Sequence, residues 1–334
     1  MSTGVLFSAA AVLVGAPTAS AEACGLVVPV SMTLTGNVSG CTGTPITVTG
    51  NNVVLDLNGK TVSCVANRPG DGPGIHVPFR TNVTIRNGIV RDCDSGIYLE
   101  GGGRHTLTNL NILDNIGQPR GGGIFGEGIQ LYGSHDNQIL RNRVIHNGTF
   151  AGIAVYDSSR NTISDNVVDS NNVRQVDATG APSVNQDIGI WLIWLGDFPD
   201  PGVTGNVVTR NQVTRNGLDG VQLSRFSTGN TVSSNTIAQN GTSGQRPGIR
   251  NGDGIAVFGQ SSVIQSNQVT RNGGNGIFVR NNARNHQILN NQAGANGQVP
   301  PPGGPQFDLK DDNPACDNNA WRGNSGTRNQ PCIL

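Results

Sequence analysis

One short motif, repeated through most of the chain, constrains the fold more than any other feature. A glycine, a branched apolar residue, a variable residue and a second branched apolar residue occur in that order eight times. The spacings between successive motif glycines are 22, 32, 24, 37, 31, 34 and 22 residues. Such self-similarity predicts a solenoid in which each repeat contributes one coil. The motifs read GIHV at Gly74, GIYL at Gly96, GIQL at Gly128, GIAV at Gly152, GIWL at Gly189, GVQL at Gly220, GIAV at Gly254 and GIFV at Gly276.

The other half of each repeat contains two short apolar pulses, each closed by asparagine, as in NVVTRNQVTRN from Asn206. Alternate side chains of a strand point to one face, so the Ile, Val and Leu of three short strands would line a narrow lumen. Gly and Asn suit turns that need a positive φ or a side chain that bonds its own backbone, and stacked asparagines can form hydrogen-bonded ladders. The sequence therefore predicts an all-β fold, a single-stranded right-handed parallel β-helix with minimal coils of about 22 residues.

Two other folds explain the repeat less well. An antiparallel sandwich predicts alternation and hairpin turns, but not one motif that recurs in register. A leucine-rich repeat predicts a leucine-rich consensus with helices, which the sequence lacks. The apolar fraction of only 35% agrees with a solenoid, in which only inward positions need be apolar.

Composition and the chain ends predict an exported protein with capped ends. The formal net charge is zero, so no nucleic acid partner is expected. Val5 to Val14 form an apolar run, and Ala19-Ser20-Ala21 follow as a cleavage site, so residues 1–21 read as a signal peptide. No later stretch is long enough for a membrane span.

The predicted organisation is an N-terminal cap with first strands at 22–52, the β-helix at 53–297, and an irregular C-terminal tail at 298–334.

Six cysteines support export into an oxidising compartment. They fall into three local pairs, although six cysteines permit fifteen connectivities and proximity alone does not exclude the others. A zinc site is not indicated, because no CxxC or Cys/His cluster is present. The pairs are Cys24 with Cys41, Cys64 with Cys93, and Cys316 with Cys332.

Several of these elements resemble a known family. The LDLNGKTV segment from Leu55, the GIxV and NxIxxN units, and the CDNNAWRGNSG tail from Cys316 are similar to secreted bacterial right-handed β-helix repeat proteins, a group that includes pectate-lyase-like and NosD-like proteins. The resemblance covers nearly all of the mature chain and implies the fold. It implies no single activity, because the group includes polysaccharide lyases, glycoside hydrolases and alginate epimerases beside members of unknown role.

The signatures of the better-known enzymes in this group are mostly missing. Asp311-Asp312 is the only DD pair and lies in the tail, and no GHG or DPH motif occurs. Lys60 and Lys310 are the only lysines, which argues against a lysine base, while an arginine base stays open. A NosD-like role in metal-centre maturation would need clustered Met, His or Cys ligands, and the two Met and five scattered His argue against it.

The variable positions of the motif should face outward, and aromatic residues are concentrated there although they make up only 4% of the chain. Exposed aromatic strips often mark binding surfaces, and flat rings stack well on sugars. The alternative is that loops cover this face and bury the rings. The predicted substrate-binding residues are Tyr98, Tyr132, Tyr156, Trp191, Trp194, Phe258 and Phe278.

Acidic residues recur just before the motif glycine, where stacked carboxylates could bind calcium or act as an acid/base pair. For any single acidic residue, turn chemistry is the favoured explanation, because Asp before Gly is a common turn residue. The long insertions near Trp191 favour a mid-solenoid site with Asp187, Asp219 and Arg225 as catalytic candidates. His76 and His105 lie coils away and are interpreted as structural or surface residues. A column of arginines before the turn asparagines could hold an acidic polysaccharide, or could be a solvated face balanced by aspartates.

The functional hypothesis is a secreted, extracellular protein that binds a polysaccharide and, in an enzymatic version, cleaves or epimerises it. That version predicts a compact carboxylate and arginine cluster in the groove. The alternative is a non-catalytic structural, adhesive or carbohydrate-binding solenoid, which predicts aromatic residues without such a cluster. Sequence alone leaves the sugar, the metal requirement and the oligomeric state open.

Overall fold

The computed structural model describes residues 21–65, 72–117, 126–148, 150–172, 187–198, 202–242, 252–299 and 305–334. The predicted signal peptide, apart from Ala21, lies outside these residues. Within them, every strand pairing is parallel, as in Ile153 against Ile190, and successive coils stack strand on strand. The β-helix that the sequence predicts is therefore confirmed.

The first column of strands is a parallel sheet in which each repeat motif contributes one strand. Its strands, in spatial order, are β1 (Leu26–Val28), β4 (Ile46–Val48), β7 (Pro73–Pro78), β9 (Ser95–Glu100), β11 (Ile129–Tyr132), β14 (Ala151–Tyr156), β17 (Ile188–Ile193), β21 (Val221–Leu223), β25 (Ile255–Val257), β28 (Ile277–Val279) and β31 (Leu309–Asp311).

The two asparagine-closed pulses of each repeat form the second and third columns, which share two long strands, β8 (Thr84–Arg91) and β10 (Thr106–Leu113). A small pair, β18 (Val203–Thr204) and β22 (Ser227–Thr228), lies apart. The second column also holds β2 (Met32–Thr33), β5 (Val54–Asp56), β12 (Gln138–Leu140), β15 (Thr162–Ser164), β19 (Val207–Thr209), β23 (Thr231–Ser233), β26 (Val263–Gln265), β29 (Gln287–Leu289) and β32 (Ala320–Arg322). The third also holds β3 (Val38–Cys41), β6 (Thr61–Cys64), β13 (Arg143–Ile145), β16 (Val167–Asp169), β20 (Gln212–Thr214), β24 (Thr236–Ala238), β27 (Gln268–Thr270) and β30 (Gln292–Gly294).

The branched residues of each motif line the lumen, as their spacing predicts. Ile153 and Val155 of β14 are completely buried and stack on Ile190 and Leu192 of β17. The same inward stacking continues from Val28 to Leu309 in one continuous core. Full burial of each such side chain contributes about 2 kcal/mol, so the lumen supplies most of the hydrophobic stabilisation.

Buried asparagine ladders run along the three corners between the columns. Asn211 shows the pattern: its Oδ1 accepts from the backbone N and the Nδ2 of Asn166, at 3.0 Å each, and its Nδ2 donates to Oδ1 of Asn235 at 3.0 Å. Each asparagine thus replaces a backbone partner that the turn leaves unpaired. The ladders are Asn115, Asn147, Asn171, Asn216, Asn240, Asn272 and Asn296; Asn142, Asn166, Asn211, Asn235, Asn267, Asn291 and Asn324; and Asn137, Asn161, Asn206 and Asn230, extended by His105, Ser262, His286 and Asn319.

The positive φ of these turns and the hydrogen-bonding amide belong to two different residues. The residue before each ladder asparagine adopts it, as at Arg210 (φ 53°) before Asn211 and Asp165 (φ 60°) before Asn166. The ladder asparagines must point their amides inward, so the preceding residue makes the bend. The two turn roles that the sequence indicates, a positive φ and a side chain that bonds the backbone, therefore fall on adjacent residues.

Strands also occur in both segments that the sequence assigned to the ends. β1 to β4 lie within 22–52, and β31 and β32 within 298–334, so the C-terminal tail is less irregular than expected and stacks two strands on the solenoid. A 3₁₀ turn at Pro314–Cys316 joins them. The three predicted disulfides, Cys24–Cys41, Cys64–Cys93 and Cys316–Cys332, are confirmed. The described part of the chain contains no helix with the length and apolarity of a membrane span.

His105 is expected to make stability fall on mild acidification. The side chain is completely buried, its Nδ1 accepts the backbone N–H of Val83 at 3.2 Å, and burial lowers its pKa to about 4. Because the unfolded chain binds the proton at pH 6.5 and the folded chain does not, the free energy of unfolding should fall by up to about 3 kcal/mol between pH 6.5 and 4. Denaturation of His105→Asn over this range should show a smaller loss, and an unchanged loss would contradict the assignment.

Candidate functional site

The outer surface of the first sheet, here called the outer face, brings together the variable positions of the motif. Strand register aligns them in two rows that run along the solenoid. The first row contains His76, Tyr98, Gln130, Ala154, Trp191, Gln222, Ala256, Phe278 and Lys310, and the second contains Pro78, Glu100, Tyr132, Tyr156 and Ile193.

Most predicted aromatic residues of the outer face are buried, which agrees with the alternative to an exposed strip that the sequence left open. Tyr98, Tyr156, Trp191 and Phe278 are 9%, 5%, 5% and 3% exposed, whereas Trp194 is 37% exposed. Tyr132 and Phe258 are half-buried. Adjacent rings from neighbouring coils pack edge to face, with the Tyr156 and Trp191 centroids 6.1 Å apart, and form a second apolar cluster outside the lumen. The rings therefore shield one another, because the coil spacing is close to the ring size.

Buried hydrogen bonds fix the centre of this cluster. The Tyr156 hydroxyl donates to Oε1 of Glu127 at 2.5 Å, and Ser95 Oγ donates to its other oxygen at 3.2 Å. Burial and the neighbouring Glu127 carboxylate raise the pKa of Tyr156 well above its usual value. Trp191 Nε1 donates to Ser224 Oγ at 2.7 Å. The acidic residue before the motif glycine thus has a structural role at Glu127.

An open polar cluster lies N-terminal to the buried rings. His76 Nε2 is 2.8 Å from Oε2 of Glu100, and the two side chains are 24% and 26% exposed. The imidazole stacks on Tyr98 with ring centroids 5.0 Å apart and an interplanar angle of 4°. Tyr132, in register with Glu100, donates its hydroxyl to Oδ2 of Asp197 at 2.8 Å. Burial, with this hydrogen bond to Asp197, raises the pKa of Tyr132 to about 12.

Sequence reasoning missed most of this cluster. It assigned His76 to a structural or surface role and did not select Glu100 or Asp197 as site residues. The two-row register could have pointed to Glu100, which follows Tyr98 by two residues. Asp197 could not be found in this way, because it is 65 residues from Tyr132 in sequence.

A short loop after β17, residues 194–198, folds back over two coils and forms one wall of the outer face. Asp157 anchors it, since its carboxylate accepts the backbone N–H groups of Leu195 at 2.6 Å, Gly196 at 3.2 Å and Asp197 at 2.8 Å. Phe198 packs edge-on against Tyr132 at 4.8 Å between centroids. It also fills the space beside Gly133, where a Cβ atom would lie 2.5 Å from its ring.

The opposite end of this loop presents an exposed aromatic pair. Trp194 and Phe226 are 37% and 55% exposed and meet edge to face, with centroids 4.7 Å apart. The Arg225 guanidinium lies 5.4 Å from the Phe226 centroid, within the range of a cation–π contact. Leu195, which is 47% exposed, adds to the apolar surface.

The predicted catalytic residues do not share one open cluster in the described structure. Asp187 and Asp219 are 2% and 0% exposed. Asp219 Oδ1 accepts the backbone N–H of Asp253 at 2.8 Å, and Gly217 packs directly against the Asp187 side chain. Arg225 instead lies beside Phe226 on the surface. The burial of the two carboxylates agrees with roles in the turns between coils.

Arginines follow two different patterns outside this region. On the outer face, Arg280 lies 3.9 Å and Lys310 4.4 Å from the centroid of Phe278. At the turns, arginines pair with aspartates of the preceding coil, as Arg210 does with Asp165 at 2.8 Å and Arg86 with Asp56 at 2.9 Å. The charges of these paired arginines are therefore neutralised, which favours the solvated face over an anion-binding column.

Within the described ranges, no group of three or more His, Cys, Asp or Glu residues is arranged to hold a metal ion. Calcium binding is thus neither supported nor excluded. The two carboxylates of the open cluster, Glu100 and Asp197, instead bond His76 and Tyr132.

A model of the right-handed β-helix region matches residues 30–190 and 202–299 of the chain. The chain belongs to the right-handed β-helix family. This assignment agrees with the parallel stacking and adds the handedness of the coil. No curated protein sequence matches this β-helix protein at a significant level.

Solved structures share the fold at low sequence identity. The Dettilon tailspike protein (gp208) aligns over 89% of this chain with a TM-score of 0.61 and 12% identity. A rhamnogalacturonan lyase aligns over 75% of this chain and 68% of its own, with a TM-score of 0.57 and 14% identity. The periplasmic alginate epimerase AlgG aligns over 86% of this chain and 68% of its own, with a TM-score of 0.53 and 17% identity. The β-helix protein spans about half, 53%, of the tailspike chain.

Proposed function

We propose that this β-helix protein is exported and binds a polysaccharide along its outer face. The exposed Trp194–Phe226 pair carries the proposal, because a stable surface aromatic pair beside a polar cluster suits the apolar faces and hydroxyl groups of sugar rings. The tailspike, lyase and epimerase folds support it by analogy, since two of their names state a polysaccharide substrate. Three disulfides support an oxidising compartment.

The other predicted aromatic residues differ in burial, and we assign them different roles in this binding surface. Tyr132 and Phe258 are half-buried and could contact a bound chain beside Trp194. Tyr98, Tyr156, Trp191 and Phe278 form the packed floor beneath it. Their role would be to hold the exposed rings in place rather than to touch every sugar.

Cleavage or epimerisation by Asp187, Asp219 and Arg225 is the enzymatic version of this proposal. The burial of both carboxylates favours the non-catalytic version, a carbohydrate-binding solenoid. Absorbance at about 235 nm would report the unsaturated products of a lyase, and reducing ends would report hydrolysis by an acid/base pair. The assay is run once with added calcium and once with a chelator. If the wild-type protein forms product under either condition and the Asp219→Asn variant does not, the enzymatic version is favoured.

Trp194→Ala should weaken polysaccharide binding at least about tenfold, because an exposed aromatic anchor often contributes more than the 1.4 kcal/mol that this factor represents. Affinity electrophoresis against neutral and acidic polysaccharides measures the effect. Val30→Ala is the matched control, since Val30 is 69% exposed but lies beside the first coil. Equal binding by the two variants would exclude Trp194 from the binding surface.

A further inference from the structure

One buried polar atom of the outer face has no partner. Gln130 is 6% exposed, and its Oε1 accepts no hydrogen bond in the described structure. A buried acceptor without a donor destabilises a fold, and such atoms are rare in native proteins. Strand register places Gln130 between Tyr98 and Ala154 in the first row. On one side the Gln130 side chain is next to Ala154, whose side chain is short and has no hydrogen-bond donor.

Two more acceptors lie in the strands and loop beside Gln130. Glu100 uses Oε2 to contact His76, and Asp197 uses Oδ2 to accept from Tyr132. Their second oxygens accept no hydrogen bond from any residue that the structure describes. Tyr132 follows Gln130 by two residues in β11, so Gln130 and both pairs lie within one small region of the outer face.

The chemistry of this region selects a class of ligand. Three acceptor oxygens call for a ligand that donates several hydrogen bonds, and the hydroxyl groups of a sugar do so. None of the described hydrogen bonds, ion pairs or ring contacts of His76, Tyr98, Glu100, Gln130 or Tyr132 involves a lysine or arginine. A uronate carboxylate placed here would meet the charges of Glu100 and Asp197 and be repelled.

We propose that Gln130, Glu100 and Asp197, framed by His76, Tyr98 and Tyr132, form a subsite for a neutral glycan, in which the Gln130 amide turns outward so that Oε1 accepts from a sugar hydroxyl. This inference rests on the proposed polysaccharide-binding function and names the substrate class. Gln130 Oε1 has no hydrogen-bond donor within the part of the protein that the structure describes, and a sugar hydroxyl of the bound glycan would supply one.

Gln130→Leu separates a binding role from a structural one. Leucine removes the unpaired acceptor at similar volume, so Tm should rise by about 2 °C. If the subsite exists, affinity for neutral oligosaccharides should fall about tenfold in the same variant. Isothermal titration calorimetry with cellohexaose, maltohexaose, mannohexaose and xylohexaose measures the affinity. Oligogalacturonate and oligomannuronate are the acidic probes, and they should bind the wild-type protein more weakly.

The double variant Glu100→Gln with Asp197→Asn tests the charge argument. It removes both charges and puts an amide NH2 group, which can donate to a sugar hydroxyl oxygen, in place of one carboxylate oxygen at each position. Uronate affinity should therefore rise severalfold while neutral affinity changes by less than about threefold. Gln268→Leu is the control for Gln130→Leu, because it makes the same substitution at an exposed position in the third column.

Distinct outcomes separate the two proposals. Neutral binding that depends on Trp194 but is equal in Gln130→Leu and Gln268→Leu would overturn this subsite and leave the proposed function standing. Binding of the uronate probes alone would also overturn it. Failure of the wild-type protein to bind any probe would overturn both.

Discussion

Replacement of Asn211 by leucine is expected to lower the free energy of unfolding by about 4 kcal/mol or more. The substitution conserves size but removes the Oδ1 that accepts from Asn166, and the Nδ2 that donates to the carbonyl of Ile163 at 2.8 Å and to Asn235. Asn211 is 2% exposed, so water cannot replace these partners. The leftover donors and acceptors each cost about 1–3 kcal/mol when buried without a partner.

Chemical denaturation followed by circular dichroism measures this loss. Gln212→Ala is the control, because Gln212 is the next residue in the chain and its side chain is exposed. Substitutions at such surface positions usually change stability by less than about 0.5 kcal/mol. Similar stability of the two variants would mean that the asparagine ladders do not hold the coils together.

Gly189→Ala should destabilise the solenoid by about 3 kcal/mol or more through overpacking. A Cβ atom at Gly189 would lie 2.5 Å from both the Gly220 carbonyl oxygen and Val213 Cγ1, and 2.7 Å from Asn216 Nδ2. The carbonyl directly precedes β21 and accepts the backbone N–H of Ile190 at 2.9 Å, so it cannot move without opening the stack. The motif glycine is therefore required because the ladder asparagine and the next coil occupy the space of a side chain.

Gly294→Ala provides the comparison for this prediction. Gly294 lies in β30, and a Cβ atom there would meet nothing within 4 Å. Alanine also reduces the freedom of the unfolded chain, so this variant should be neutral or slightly stabilised. If both glycine variants lost stability equally, close approach between coils would not explain the motif glycine.

The repeat carried most of the fold prediction. The eight motif glycines mark eight strands of the first sheet, because a parallel stack requires the same inward side chains in every coil. The ladders and the disulfide pairs also followed from spacing. The residues with positive φ did not, since Asn211 and Arg210 are adjacent and only the direction of the amide decides which of them bends the chain.

The candidate site was predicted less completely. The period of two placed Tyr98 and Trp191 outside the lumen, but burial of an outer face depends on which side chains meet across coils. Tyr156 is buried because it reaches back to Glu127, and that contact is not part of the repeat. Likewise, Asp187 and Asp219 belong to the recurring acidic positions before the motif glycine, which suggested a site, but both are buried in turns.

The sequence by itself determined the coil, its inward core and its corner ladders, because these interactions repeat with one period and reinforce one another at each turn. Only the tertiary structure decided which outward groups are available. The loop that brings Asp197 to Tyr132 comes from an insertion whose length breaks the period. The Gln130 oxygen is unpaired because of the side chains that neighbouring coils place around it. Irregular insertions on a regular scaffold therefore create the individual surface of this protein.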